Sequence, residues 1–115
     1  MLQKAKPAVE LKDQSLFRQQ CYVDGAWVDA DDKSTLAVHN PATGGQIGTV
    51  PKMAVAETRR AIEAANAAWP AWRARPAKER AGILMKWFAL LHQHADDLAV
   101  IMTAEQGKPL AEAKG

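Results

Sequence analysis

The sequence is poor in the features that mark several protein classes. It has one cysteine in 115 residues, which excludes an internal disulfide framework and a zinc site built mainly from thiolates. Its longest apolar stretch, Ala81–Leu91, is interrupted by Lys86 and is far shorter than the roughly 20 residues of a membrane-spanning helix. The N-terminal residues lack the apolar run of a secretory signal, so we expect a reducing, cytoplasmic environment and no membrane partner.

An excess of charge of one sign is also missing. The 15 basic and 13 acidic residues leave a net charge of +2, which is too small for a dedicated nucleic-acid binder. Hydrophobic residues make up 48% of the chain and charged residues 24%, which are ordinary proportions for a globular protein. A chain of this length buries about two-thirds of its unfolded surface, so we predict one small core and not two domains.

Three regions differ in composition and pattern. Residues 1–20 are polar and are predicted to form an arm or a short irregular helix. Residues 21–51 contain turn formers between strand-like segments, and residues 52–115 follow the 3.6-residue period of helices. The predicted fold class is therefore α+β, with two β-hairpins followed by three helices and the start of a fourth.

The two hairpins are predicted from their turns. Asp24-Gly25 lies between Cys21–Val23 and Ala26–Val28, and Asp-Gly readily supplies the positive φ angles of a two-residue turn. Residues 40–45, Asn-Pro-Ala-Thr-Gly-Gly, form a longer loop of turn formers between Leu36–His39 and Gln46–Val50.

Prolines and glycines punctuate the helical region. The first helix begins near residue 54 and is expected to end or kink at Pro70, which removes a donor and clashes with the preceding turn. Pro76 is predicted to occupy the first position of the second helix, with Glu79 in its first turn. The third helix is expected to run to about Gln106, with Gly107 as a left-handed cap, and a fourth begins at Pro109.

The second and third helices carry further signals. Asp96 and Asp97 form the acidic first turn of the third helix, and His94 marks the break before it. A broad apolar stripe on the second helix, together with tryptophans such as Trp69 and Trp72, is expected to anchor helix packing. The stripe comprises Ile83, Leu84, Trp87, Phe88 and Leu91.

The thiol and the histidines are weak candidates for chemistry. Cys21 begins a predicted strand with only Arg18 as a nearby cation, so a structural or tolerated cysteine is favoured over a nucleophile. His92 and His94 point about 200° apart on a helix and cannot share a metal, and nothing completes a ligand set around His39. We therefore assign no catalytic residue and no metal ligand.

Two further motifs also favour structural interpretations. The glycine pattern of Gly44-Gly45-Gln46-Ile47-Gly48 resembles that of a phosphate-binding loop. Such a loop must be followed by a helix N-terminus, whereas a strand-like segment follows here, so a hairpin turn is favoured. The basic run formed by Arg73, Arg75, Lys78 and Arg80 could bind nucleic acid beside Trp69 and Trp72. A solvated helix junction is the commoner explanation.

Several segments together resemble the start of aldehyde dehydrogenases. They are Asn40-Pro-Ala-Thr-Gly-Gly-Gln-Ile-Gly-Thr-Val-Pro51, Ala71-Trp72-Arg73 and Glu105-Gln-Gly-Lys-Pro-Leu110, in the order and spacing of that family. Leu16-Phe-Arg-Gln-Gln20, Pro51-Lys-Met53 and the run to Gly115 resemble its bacterial succinate-semialdehyde dehydrogenases. The resemblance covers roughly residues 14–115. Gly45 departs from the family, which often has a charged residue there.

The resemblance implies an enzyme that oxidises an aldehyde, which in this subfamily is succinate semialdehyde, to a carboxylate with NAD or NADP. It also implies a cysteine nucleophile, a glutamate that activates water, and a homo-oligomer. Gln19-Gln20-Cys21 matches only part of the nucleophile's Gly-Gln-x-Cys motif, because Arg18 replaces the glycine and the position is far too early.

We therefore expect the N-terminal part of the α/β aldehyde dehydrogenase fold, with no catalytic or cofactor-binding residue. By itself this part is expected to be inactive, to bind no cofactor and to pack against the remainder of the fold. The alternative is a stand-alone, non-catalytic α+β interaction module whose helical face binds a partner.

Overall fold

The computed structural model describes residues 6–115, and in this range it contains two β-hairpins followed by four helices. The strands are β1 (Cys21–Val23), β2 (Ala26–Val28), β3 (Thr35–His39) and β4 (Gln46–Pro51); the helices are α1 (Val55–Ala74), α2 (Ala77–Gln93), α3 (Ala95–Gln106) and α4 (Leu110–Ala113). The predicted α+β arrangement is confirmed. The N-terminal arm, described here over residues 6–19, is irregular apart from one 3-10 turn at Gln14–Leu16.

Strands β1 and β2 form the first hairpin, with Cys21 opposite Val28 and Val23 opposite Ala26. Both turn residues have positive φ, 50° at Asp24 and 78° at Gly25. This backbone twist matches the right-handed twist of the strands, which is why two-residue hairpins favour it. The predicted Asp-Gly turn is confirmed.

Strands β3 and β4 form the second hairpin through the loop at residues 40–45. The N–H of Asn40 donates to the carbonyl of Gly45, and the N–H of Gly44 donates to the carbonyl of Asn40, both at 2.8 Å. The Asn40 side chain also accepts the N–H of Ala42 at 2.9 Å, as asparagine does in turns. The predicted hairpin loop is confirmed.

The sequence predicts an end or a kink at Pro70; helix α1 continues to Ala74, so the first of these alternatives, an end, is wrong. Proline costs a helix one N–H donor and a steric clash with the preceding turn. Residues 66–71 are all exposed, so water can reach the carbonyl that loses its partner. The fixed φ of proline is itself helical, and the rest of the helix tolerates this one defect.

The other helix boundaries lie close to the predicted ones. Pro76 immediately precedes α2 and its carbonyl accepts the N–H of Arg80 at 3.2 Å, so it lies one position earlier than predicted. His94 is the residue before α3, and Gly107 ends that helix with φ 79°, as expected. Pro109 precedes α4.

The chain divides into two compact units. The first contains the arm up to Gln19, residues 37–50 and residues 94–115; the second contains residues 20–36 and 51–93. Each segment of the first unit supplies one buried apolar residue, namely Val9, Ile47 and Ala99, whereas the second supplies Ala30 and the strand-ending Pro51. Instead of the single core predicted from chain length, the buried apolar residues are divided between the units.

The predicted apolar stripe of α2 is present, but it is not buried. Within α2 every residue except Arg80 is exposed, and Trp87 exposes 61% of its surface. Trp69 on α1 is also half exposed, so the packing role predicted for the tryptophans is not seen at these positions. Within residues 6–115, no helix combines the length and the apolar character that crossing a membrane requires.

Candidate functional site

The side chains that were candidates for nucleophilic or metal chemistry lie on separate elements. Cys21 begins β1 as a free, half-buried thiol, and His39 lies exposed at the end of β3. His92 is in the last turn of α2, where its ring packs edge-on against the Phe88 ring with 4.4 Å between the ring centroids. His94 precedes α3. Over the described residues no three His, Cys, Asp or Glu side chains are placed to hold a metal ion.

The two other motifs have the structural roles that the sequence favoured. Gly44 and Gly45 lie in the loop of the second hairpin and Gly48 lies in β4, so a strand and not a helix follows the loop. The basic run from Arg73 to Arg80 spans the junction of α1 and α2, where Arg75 pairs with Glu79 at 4.0 Å. Of the four cations in this run, Arg80 is half-buried, whereas Arg73, Arg75 and Lys78 are exposed.

The most strongly constrained ionisable group in the first unit is Asp97, in the first turn of α3. It is only 6% exposed, and its two carboxylate oxygens accept the backbone N–H groups of Lys12 and Asp13, each at 2.9 Å. A carboxylate so buried requires partners of this kind, because desolvation of an unpaired charge is costly. Asp97 therefore fastens the arm to the start of α3.

Asp96, its neighbour, forms the exposed part of the same junction. Its two oxygens pair with Lys12 at 3.1 Å and with Lys114 at 2.9 Å. These two ammonium groups, Lys114 first, hold the pKa of Asp96 below its usual value of 3.8. The arm, the start of α3 and the end of α4 are thus joined at this acidic pair.

The arm has a second attachment at its C-terminal end, where the Gln19 side chain accepts the N–H of Thr49 in β4 at 2.9 Å. Within the arm, the Gln14 amide donates to the carbonyl of the buried Val9 at 2.9 Å. The Ser15 hydroxyl and N–H both donate to Asp13 and lower the pKa of that carboxyl. The sequence predicted an arm or a short irregular helix here, and these contacts to distant segments were not foreseen.

A second polar cluster lies in the other unit, where the loop that follows β2 meets the start of α1. Glu57, 8% exposed, accepts the N–H groups of Ala54 at 3.3 Å and Asp31 at 3.4 Å. Because Ala54 has no acceptor side chain, this is one half of a capping box. Arg60 pairs with Asp31 at 2.6 Å, and this carboxylate raises the pKa of the guanidinium.

A cavity of about 540 Å³ lies beside this cluster, and Trp27 and Met53 contribute to its walls. Its charged groups already have partners: Asp31 binds Arg60, and Asp29 binds Lys33 at 3.5 Å and Gln20 at 3.0 Å. Both clusters therefore hold segments of the chain together. Neither pairs a nucleophile with a base, which is the arrangement that nucleophilic catalysis requires.

The two hairpins and four helices define an α+β fold, and the comparisons with known proteins identify its family. Residues 27–115 match the aldehyde dehydrogenase family, to which the chain belongs. A glutarate-semialdehyde dehydrogenase of Pseudomonas aeruginosa is 68% identical over 107 residues, which are 93% of this chain and 22% of the relative. A succinate-semialdehyde dehydrogenase of Escherichia coli, named as using NADP(+), is 59% identical over equal shares of the two chains.

Solved structures agree with this family. The crystal structure of succinate-semialdehyde dehydrogenase from Burkholderia pseudomallei is 61% identical, with a TM-score of 0.88 over 91% of this chain and 22% of that chain. The chain thus spans about a fifth of the length of the relatives that it matches. The resemblance inferred from the sequence is confirmed.

Proposed function

We propose that these residues are the N-terminal scaffold of an NAD(P)-dependent dehydrogenase that oxidises a semialdehyde to a dicarboxylate. The observation that carries this proposal is the 68% identity to a glutarate-semialdehyde dehydrogenase over 107 residues. Identity of 59% to a succinate-semialdehyde dehydrogenase supports the same substrate class, an aldehyde with a carboxylate at its other end. Glutarate semialdehyde and succinate semialdehyde differ by a single methylene group.

In this proposal the chain contributes position and packing, not catalytic groups. Its only thiol, Cys21, lies in a hairpin strand, and no described histidine is paired with it. Its glycine-rich loop leads into β4, so it does not offer the helix N-terminus on which a dinucleotide phosphate binds. We therefore assign the nicotinamide cofactor to no residue of this chain, and no catalytic step to its side chains.

A chimeric enzyme tests the proposal. The 107 matched residues of the Pseudomonas aeruginosa relative are replaced by those of this chain, and NADH or NADPH formation is followed with glutarate and succinate semialdehydes. We expect kcat/KM within about tenfold of the parent enzyme, a loss of no more than ~1.4 kcal/mol in transition-state stabilisation. The 115-residue chain alone is expected to oxidise neither aldehyde.

Two outcomes would contradict the proposal. A chimera that folds and assembles like the parent but lacks activity would show that these residues do not fit a semialdehyde dehydrogenase. Aldehyde oxidation by the 115-residue chain alone would show that it has catalytic groups of its own. An interaction module would instead give an inactive chimera, together with a free chain that is monomeric and unfolds cooperatively.

A further inference from the structure

The cavity of about 540 Å³ beside Glu57 lies wholly within the second compact unit, and we call it the Glu57 cavity. Its apolar walls are formed by Val23, Trp27, Val28 and Met53. Ligand sites in proteins are typically hollows of roughly 300–1,000 Å³ in which apolar walls surround a few polar groups. The size and the walls of this cavity therefore suit a small organic molecule.

The charged groups that line the Glu57 cavity do not balance. Lys33 pairs with Asp29 at 3.5 Å. Arg60 pairs with Asp31 at 2.6 Å, so each aspartate of the lining has a cation of its own. Glu57, the third carboxylate, forms no ion pair within residues 6–115. The N-terminus of α1 contributes only about half a positive charge, so an excess of negative charge is left at the cavity.

One oxygen of Glu57 is available to a ligand. The N–H groups of Ala54, at 3.3 Å, and Asp31, at 3.4 Å, both donate to Oε2, whereas hydrogen bonds between charged groups are usually about 2.7–2.9 Å long. Oε1 accepts no hydrogen bond from the described part of the chain, although Glu57 is only 8% exposed. Oε1 is also not among the fully buried unpaired atoms of that part, so it keeps an opening to solvent, and the open space beside Glu57 is this cavity. A buried carboxylate oxygen in this position lacks the donor that would compensate its desolvation.

We propose that the Glu57 cavity binds a small organic amine. Its ammonium group donates to Oε1 of Glu57, and its apolar stem lies against Trp27 and Met53. An ammonium group supplies both the missing positive charge and a hydrogen-bond donor. The indole face of Trp27 also attracts a cation. This site is distinct from the proposed dehydrogenase activity and does not depend on it.

Other classes of ligand fit the cavity less well. Mg²⁺ and Ca²⁺ are surrounded by about six to eight oxygen ligands, whereas Glu57 offers one free oxygen beside apolar walls. An anion has to displace Asp29 from Lys33 or Asp31 from Arg60. A neutral apolar molecule leaves Oε1 of Glu57 without a donor, which is the costly arrangement for a buried acceptor.

Three ligands with one stem and different head groups test this proposal. n-Hexylamine, which is an ammonium ion at about pH 7 as lysine is, is compared with 1-hexanol and hexanoate. Each is titrated into the chimera without aldehyde, and binding is followed by saturation-transfer NMR, which detects weak ligands of large proteins. We expect a Kd on the order of 1 mM for hexylamine and binding about tenfold weaker or more for hexanol and hexanoate, because neither brings a positive charge to Glu57.

Glu57→Gln and Glu63→Gln form a matched pair of variants. Both residues lie on α1 and each substitution removes one negative charge, but Glu63 is exposed and does not line the cavity. Glutamine at position 57 keeps one acceptor oxygen for the N–H groups at Oε2 and sets its NH₂ group where Oε1 was, facing the ammonium. We expect Glu57→Gln to weaken hexylamine binding by about tenfold and to leave hexanol binding unchanged, whereas Glu63→Gln should alter neither.

Circular dichroism establishes that each variant is folded, and the comparison of head groups in the unmodified chimera decides the proposal even if Glu57→Gln does not fold. Equal affinities for hexylamine and hexanol would overturn it, since the site would then be only an apolar hollow. Tighter binding of hexanoate would assign the cavity to an anion held by Lys33 and Arg60. Failure of hexylamine to bind the chimera, or equal losses from Glu57→Gln and Glu63→Gln, would also refute it. None of these results bears on the proposed function, which is tested by aldehyde oxidation.

Discussion

Replacing Asp97 with alanine is expected to release the arm from α3. The carboxylate of Asp97 accepts two backbone N–H groups at 2.9 Å, from Lys12 and Asp13, and is almost fully buried. Hydrogen bonds to charged groups contribute about 1.5 kcal/mol or more each. The loss of two such bonds therefore costs about 3 kcal/mol of local stability, which is roughly a 100-fold rise in the open fraction of the arm.

Amide hydrogen exchange measures this opening directly at the donors. The exchange of Lys12 and Asp13 should accelerate by roughly 100-fold in Asp97→Ala, in the free chain and in the chimera, provided that exchange occurs by local opening. Asp97→Asn should also accelerate it, because an amide retains one acceptor oxygen and sets its NH₂ group against the second donor. Helix α2 should exchange as in the unmodified chain.

Asp96→Asn is the matched control. Asp96 makes only exposed ion pairs, and such pairs contribute little to stability. Its substitution should therefore change the exchange of Lys12 and Asp13 by no more than a few-fold. If Asp97→Ala left these amides as protected as they are in the unmodified chain, or if Asp96→Asn exposed them equally, the fastening role of Asp97 would be refuted.

Three other predictions concern the same elements. The pKa values of Asp13 and Asp96 are lowered in the folded chain, so their contribution to stability is complete above the ordinary value of 3.8 and is lost as pH falls through the folded values. Acid titration followed by amide exchange should show the arm loosening in that range, with a share from Asp96 of no more than a few-fold that is absent in Asp96→Asn. Gly48→Ala should displace the arm, because a Cβ there would lie 2.8 Å from the Gln19 side chain and 3.1 Å from the Phe17 ring. In its control, Gly82→Ala, the added Cβ meets no atom within 4 Å, so circular dichroism of the free chain should show a higher helicity of α2. Glu57→Ala should cost about 1–2 kcal/mol at the start of α1, measured by thermal unfolding of the chimera, and Glu57→Gln should cost less because its amide oxygen still accepts.

The features predicted correctly from the sequence are those that short stretches of chain determine. Asp24-Gly25 forms a tight turn because these residue types tolerate positive φ, and Gly107 ends α3 for the same reason. The hairpin interpretation of the glycine-rich loop also needed only the strand that follows it. Each of these features depends on residues that lie within about one turn or one hairpin of each other.

The features that were missed depend on residues far apart in the chain. The partners of Asp97 lie 84 and 85 residues earlier, so its sequence context showed only an acidic first turn. Two adjacent aspartates at a helix start gave no sign of which one would be buried. The end predicted at Pro70 was wrong because the local cost of proline was weighed without the exposed surroundings that let the helix continue.

The sequence by itself determined the family, the order of the hairpins and helices, and most of their boundaries, because backbone preferences and hydrophobic period act over a few residues. Tertiary structure decided that Asp97 holds the arm, that Glu57 joins the loop after β2 to α1, and that the apolar stripe of α2 is exposed. Burial is the physical reason. Whether a carboxylate or a tryptophan is covered depends on which distant segments pack over it, and a local pattern of residues specifies only the surface to be covered.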